Sequence, residues 1–152
     1  MGRSMTRTVE IRLRNSLSEI GAARDALDGL GNEFSMPMKP LMQLQIALDE
    51  VVSNVVKYSW QDGAEHEFLV RITVHPAGVD VEILDDGLAF DPLVAPAPSP
   101  PVPGQRPPPG GLGIHMAKKL LDDVKYERTG GRNHTTLCKR FDLGAAVGRS
   151  EK

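Results

Sequence analysis

LDEVVSNVVKYSW, residues 48–60, sets a carboxylate at Glu50 and an amide at Asn54 inside a largely apolar run. Leu41, Leu44, Leu48, Val51, Val52 and Val55 recur at helical spacing, and Pro40 suits the start of a helix that reaches about Ser59. Residues four apart share a helical face, with Cβ atoms roughly 5–6 Å apart. Polar groups among buried apolar neighbours are costly unless something satisfies them. Glu50 and Asn54 therefore either form the polar stripe of an amphipathic helix or line a site.

The chain on either side supplies the partners for this helix. Upstream, TVEIRL (8–13) alternates as a strand does, and Ser16 or Ser18 can cap a first helix carrying Ile20, Ala23, Leu27 and Leu30, with Gly29 and Gly31 marking its end. Downstream, a polar turn over 61–67 leads to two strands, 68–75 and 79–84, joined by a short PAG turn. About half of residues 92–109 are proline, which excludes a helix or a central strand there. An amphipathic helix follows over 114–121, then a hairpin, 124–129 and 134–141, around Gly130-Gly131. The order β-α-α-β-β-loop-α-β-β predicts an α+β fold. This is a two-layer α/β sandwich, its mixed, mostly antiparallel sheet covered on one face by about three helices. A single domain is expected over 5–143, with a proline-rich lid at about 88–110 and a disordered tail, 144–152.

The composition is that of a soluble globular protein: 152 residues, 40% hydrophobic and 25% charged. A net charge of −2 does not favour nucleic acid or an anionic membrane as partner. No apolar run approaches the ~20 residues of a membrane span, and the N-terminus lacks a signal-peptide core, so a cytoplasmic location is expected. The one cysteine, Cys138, excludes an internal disulfide and reads as an inert thiol in a strand.

Three elements bracket the proline-rich loop. Asp85 ends a hydrophobic strand, and its carboxylate can accept a hydrogen bond from an exocyclic amine such as that of adenine. Gly87 lets the backbone turn and a flat ring approach. Asp-Gly pairs are also ordinary turn formers. Gly111 and Gly113 precede a helix, where free amides suit phosphate, or else serve as a hinge. Neither a P-loop nor a dinucleotide fingerprint is present. The side-chain oxygen of Asn54 suits Mg²⁺, which bridges to nucleotide phosphates, and Glu50 one turn away suits a general base. Each signal is weak alone; their order, with a long loop between the second and third, is specific.

Taken as a set, these residues resemble the Bergerat (GHKL) ATP-binding fold. Glu50 and Asn54 are similar to its N-box, Asp85 and Gly87 to its D-x-G box, and Gly111 and Gly113, with Ile114 following, to its G-x-G box. NVVKYS (54–59) is also similar to the N-box of histidine kinases, but Glu50 stands where those carry a first Asn. No helical hairpin with a phosphoacceptor His is evident. Phe90-Asp91-Pro92, the proline-rich lid and GGRNHTTLCK (130–139) resemble the anti-sigma-factor serine/threonine kinases of the RsbW type. That resemblance implies ATP and Mg²⁺ as cofactors, with Glu50 the base, and Asn54 holding Mg²⁺. Thr135 or Thr136 would support Asp85 at adenine, and Arg106, Lys57 or Lys118 would reach the γ-phosphate. It also implies a homodimer that phosphorylates an anti-anti-sigma (STAS-domain) partner and sequesters a sigma factor or other regulator. The alternatives are a nucleotide-gated binding module that acts as a switch, a histidine-kinase-type ATP-binding domain, and an ATPase in which water replaces the hydroxyl.

Overall fold

The computed structural model describes residues 6–89 and 117–143. Strand β1 (Arg7–Arg14) runs through a short 3-10 helix (Leu17–Glu19) into α1 (Ile20–Glu33), followed by α2 (Met38–Tyr58). Strands β2 (Glu67–His75) and β3 (Gly78–Asp85) follow, and then, beyond 90–116, β4 (Asp123–Thr129) and β5 (Arg132–Arg140). Residues 117–120 are helical. The five strands form one sheet in the order β1-β2-β3-β5-β4, and every described pairing is antiparallel. No parallel pair occurs among the described residues, so the parallel component implied by a mixed sheet is not seen there.

Period-two alternation divides the sheet into two faces. Phe68, Val70, Ile72 and Val74 of β2 and Val79, Val81 and Ile83 of β3 are buried. They join Leu27 and Leu30 of α1 and Leu44, Leu48, Val51, Val52 and Val55 of α2 in one core. The opposite face carries a polar ladder. Arg71 donates to Glu10 at 2.7 Å and to Glu82 at 3.3 Å, and His134 meets Glu82 at 2.9 Å. Cys138 lies on this second face, and its thiol is pushed up to about 12 by burial and by a hydrogen bond with Asp80. The reading of an inert thiol agrees with that shift.

The helix ends depart from the sequence reading in instructive ways. Gly31 does not stop α1. A Cβ there would lie 2.6 Å from Leu41 Cδ2, so this glycine lets α1 and α2 approach. The stop comes at Ser35, in the left-handed region with φ 50°. Met36 N donates to Gly31 O at 2.9 Å and Ser35 N to Asn32 O at 3.4 Å, the pair of bonds that closes a Schellman motif. Helix α2 begins at Met38, two residues before Pro40. Proline is tolerated there because the first four amides of a helix lack intrahelical acceptors in any case. The β4–β5 turn follows its sequence: Gly130 (φ 60°) and Gly131 (φ 76°) supply the two positive φ angles of a tight hairpin.

Candidate functional site

Topology brings the site elements together. Strand β5 inserts between β3 and β4, so the exit of β3 meets the start of β5, with Asp85 opposite Asn133. Helix α2 packs across β3 and β5, and its end touches the same corner: Leu88 N donates to Ser59 O at 2.7 Å. Gly87 makes this approach possible, since a Cβ on it would lie 2.3 Å from Ser59 O and 2.5 Å from Ser59 Cβ. At about 1.5 Å rise per residue, Asn54 lies roughly 7.5 Å and Glu50 roughly 13.5 Å back along the helix from Ser59.

Asp85 is 6% exposed. Its Oδ1 accepts from Gly87 N at 2.9 Å and from Asn133 Nδ2 at 2.9 Å. Asn54 is 7% exposed, and its Nδ2 is a buried polar atom with no hydrogen-bond partner among the described residues. Such an atom costs stability unless an acceptor meets it, so a ligand oxygen at this place answers a demand the fold leaves open. Glu50, half-buried one turn earlier, has its pKa raised by burial, opposed by the smaller pull of Lys57. Lys57 itself is exposed in the last turn of α2.

Thr135 and Thr136, alternatives by sequence, part company in the sheet. Thr135 is buried on the helix-facing side with Asn133 and Leu137, whereas Thr136 is on the opposite face across from Glu82. Arg106, Gly111, Gly113 and Ile114 lie outside the described residues, as do most of the lid at about 88–110 and the tail from 144. Among the described residues no group of three or more His, Cys, Asp or Glu could hold a metal. A cation beside Asn54 would therefore complete its shell with phosphate and water oxygens, the habit of Mg²⁺. The hard amide oxygen and the unanswered amide N–H of Asn54 fit such a metal–phosphate group.

Sequence reasoning missed several residues that shape this corner. Trp60 stacks on His66, with ring centroids 4.8 Å apart and planes 6° from parallel, and its Nε1 donates to Asp86 at 3.2 Å. Arg128 donates to Gly87 O at 2.7 Å. Asn133 was visible only as part of a hairpin motif. Its link to Asp85 depends on the β3–β5 register, which no local pattern encodes.

The sheet order and the buried amide–carboxylate corner define a class. The chain belongs to the histidine kinase-like ATPase domain family, which matches residues 13–139. As a member it is a kinase-like, ATP-binding domain. It is 26% identical over 129 residues to the serine-protein kinase RsbW of Oceanobacillus iheyensis, covering 81% of this chain and 80% of that one. It is 29% identical over 96 residues to the serine/threonine-protein kinase BtrW of Bordetella bronchiseptica, covering 62% of this chain and 66% of that one. A crystal structure of the RsbU and RsbW domains of Rv1364c from Mycobacterium tuberculosis shares the fold, with a TM-score of 0.64 at 15% identity. That likeness covers 88% of this chain but only 32% of the solved one. The RsbW-type resemblance and the α+β sandwich are thereby borne out. No described helix is long and apolar enough to cross a membrane.

Proposed function

We propose that this protein is an ATP-dependent serine/threonine kinase of a partner-switching system. It phosphorylates a small anti-anti-sigma (STAS-domain) protein in the cytoplasm, and as a homodimer it sequesters a sigma factor or other regulator. The observation that carries the reading is the unpartnered, buried amide of Asn54, one helical turn from a half-buried Glu50 whose pKa is raised. The likeness to serine-protein kinases agrees with it.

In this reading the nucleotide extends along α2. Asp85 accepts from the adenine amine at the Ser59 end, with Thr135 beside it on the same face of β5. Asn54 sits at the phosphates, where it would ligate Mg²⁺, and Gly111 and Gly113 offer backbone amides to them. Magnesium, held there by Asn54, would neutralise phosphate charge during the transfer. The incoming Ser or Thr hydroxyl loses its proton to a Glu50 oxygen. Its own oxygen bonds to the γ-phosphorus as the bond to the β,γ-bridging oxygen breaks, and ADP leaves. A carboxylate with a raised pKa suits proton uptake near neutral pH better than an ordinary glutamate. Arg106 and Lys57 are the cations proposed to steady the γ-phosphate.

Incubation with γ-labelled ATP, Mg²⁺ and a candidate STAS-domain protein tests the proposal. Label transferred to a serine or threonine of that protein is the expected result. Release of free phosphate alone indicates an ATPase, and a stable nucleotide-bound complex without turnover indicates a switch; either would overturn the kinase reading.

A further inference from the structure

We infer that Asn133 is a positioning residue for base selection: it aims the Asp85 carboxylate at the nucleotide's exocyclic amine without itself touching the nucleotide. The inference rests on the proposed adenine contact of Asp85. It starts from the hydrogen-bond count at Asn133, which is 3% exposed. A primary amide has two N–H donors and an oxygen with two acceptor positions. Here all four are used. Nδ2 donates to Asp85 Oδ1 at 2.9 Å and to Leu88 O at 2.8 Å. Oδ1 accepts from the Tyr126 hydroxyl and from Arg128 Nη1, the latter at 3.1 Å.

This count also fixes which way the amide points. Turned over, it would set its oxygen against the Asp85 carboxylate and the Leu88 carbonyl and an N–H against the Arg128 guanidinium, and only the Tyr126 hydroxyl, which also accepts, would adapt. Three of the four favourable contacts would become repulsive, so the surroundings hold a single orientation. Asn133 therefore always presents N–H to Asp85. Together with Gly87 N it occupies Oδ1 from two directions. Among the described residues no donor meets Oδ2, which leaves that oxygen to accept a hydrogen bond from a ligand.

The consequence is chemical selectivity. An oxygen held as an acceptor attracts the 6-amino group of adenine and repels the 6-oxo group of guanine or hypoxanthine. The same amide ties the chain at Leu88 to β5, and Arg128 ties Gly87 to β4. The turn that carries Asp85 is thus clamped from the sheet side by residues of two strands. Without Asn133, Asp85 keeps the Gly87 bond but loses the second bond that holds its rotation, so Oδ2 is no longer held toward the ligand.

The test compares binding of ATP with that of purine riboside 5′-triphosphate, which lacks only the 6-amino group, to wild type, Asn133→Ala and Asp85→Asn. Wild type is expected to favour ATP by about tenfold or more, the range for one hydrogen bond to a charged group. Asn133→Ala should reduce that preference to about threefold or less while the affinity for the desamino nucleotide changes by less than about twofold. A purely structural role would weaken both nucleotides alike, and an unchanged ratio in Asn133→Ala overturns the inference while leaving the adenine contact standing. If wild type itself shows no preference, or Asp85→Asn keeps a full one, the adenine contact fails and the inference falls with it. Should Asn133→Ala lose its far-ultraviolet circular dichroism, Tyr126→Phe reads the same clamp from its outer edge. There a fall in the ratio of at least about twofold is expected, and an unchanged ratio counts against the inference.

Discussion

Replacing Gly87 by alanine is expected to damage both stability and nucleotide binding. The new Cβ would meet Ser59 O at 2.3 Å, Ser59 Cβ at 2.5 Å and Ser59 C at 2.7 Å. Non-bonded carbon contacts settle at about 3.5–4.0 Å, so the β3 exit and the end of α2 must separate by roughly 1 Å. Two of these three atoms are backbone, so no rotamer change relieves the clash. Separation stretches the 2.7 Å bond from Leu88 N to Ser59 O. Overpacking costs about 1–3 kcal/mol and a lost hydrogen bond about 0.5–1.5 kcal/mol, which together make a loss of about 1.5–4.5 kcal/mol. Urea unfolding followed by circular dichroism measures that loss directly. Fluorescence of Trp60, the one tryptophan and a neighbour of Asp86, follows ATP titration in the same samples. Binding should weaken by about tenfold or more, because the displaced turn carries the Gly87 amide that holds Asp85. Gly29→Ala is the control: nothing lies within 4 Å of its Cβ, and alanine in a helix should gain up to about 1 kcal/mol. A Gly87→Ala protein as stable as wild type would refute the close approach and the corner built on it.

Glu50→Gln should retain ATP binding and lower the rate of phosphoryl transfer by about 10²–10⁴-fold, read with labelled ATP. The wild-type rate should rise with pH, with a midpoint above that of an ordinary glutamate, because burial raises this pKa. The same raised value makes the Glu50 contribution to stability fully present below its unfolded pKa and lost as pH rises through the folded one. Glu50→Gln should therefore unfold at higher urea than wild type at neutral pH, with the gain vanishing in acid. Asn54→Ala should remove most of the Mg²⁺-dependent increment in ATP affinity, measured by calorimetry with and without Mg²⁺, while costing the free protein little, since its buried Nδ2 has no described partner to lose. Ser35→Gly should stabilise the fold by about 1 kcal/mol in urea melts, because glycine occupies the left-handed region without the penalty serine incurs at φ 50°.

Local chemistry was enough for much of this protein. The strand and helix order followed from periods of two and near 3.6, the hairpin from Gly130-Gly131, and the candidate site from short motifs whose spacing is itself informative. Glu50 and Asn54 were legible because a helix converts a separation of four residues into one face. Other features depended on which strand lies beside which. That β5 enters between β3 and β4 puts Asn133 opposite Asp85, across a separation of 48 residues. Thr135 and Thr136 were equivalent as letters and became distinct once the sheet acquired a covered face and an open one. Gly31 read as a helix stop and Gly87 as a turn that admits a flat ring, yet each marks a place where another segment passes too close for a Cβ. Sequence patterns report the backbone's own conformational preferences. Burial, register and close approach are set by chain segments distant in sequence, and only the packed fold brings those together.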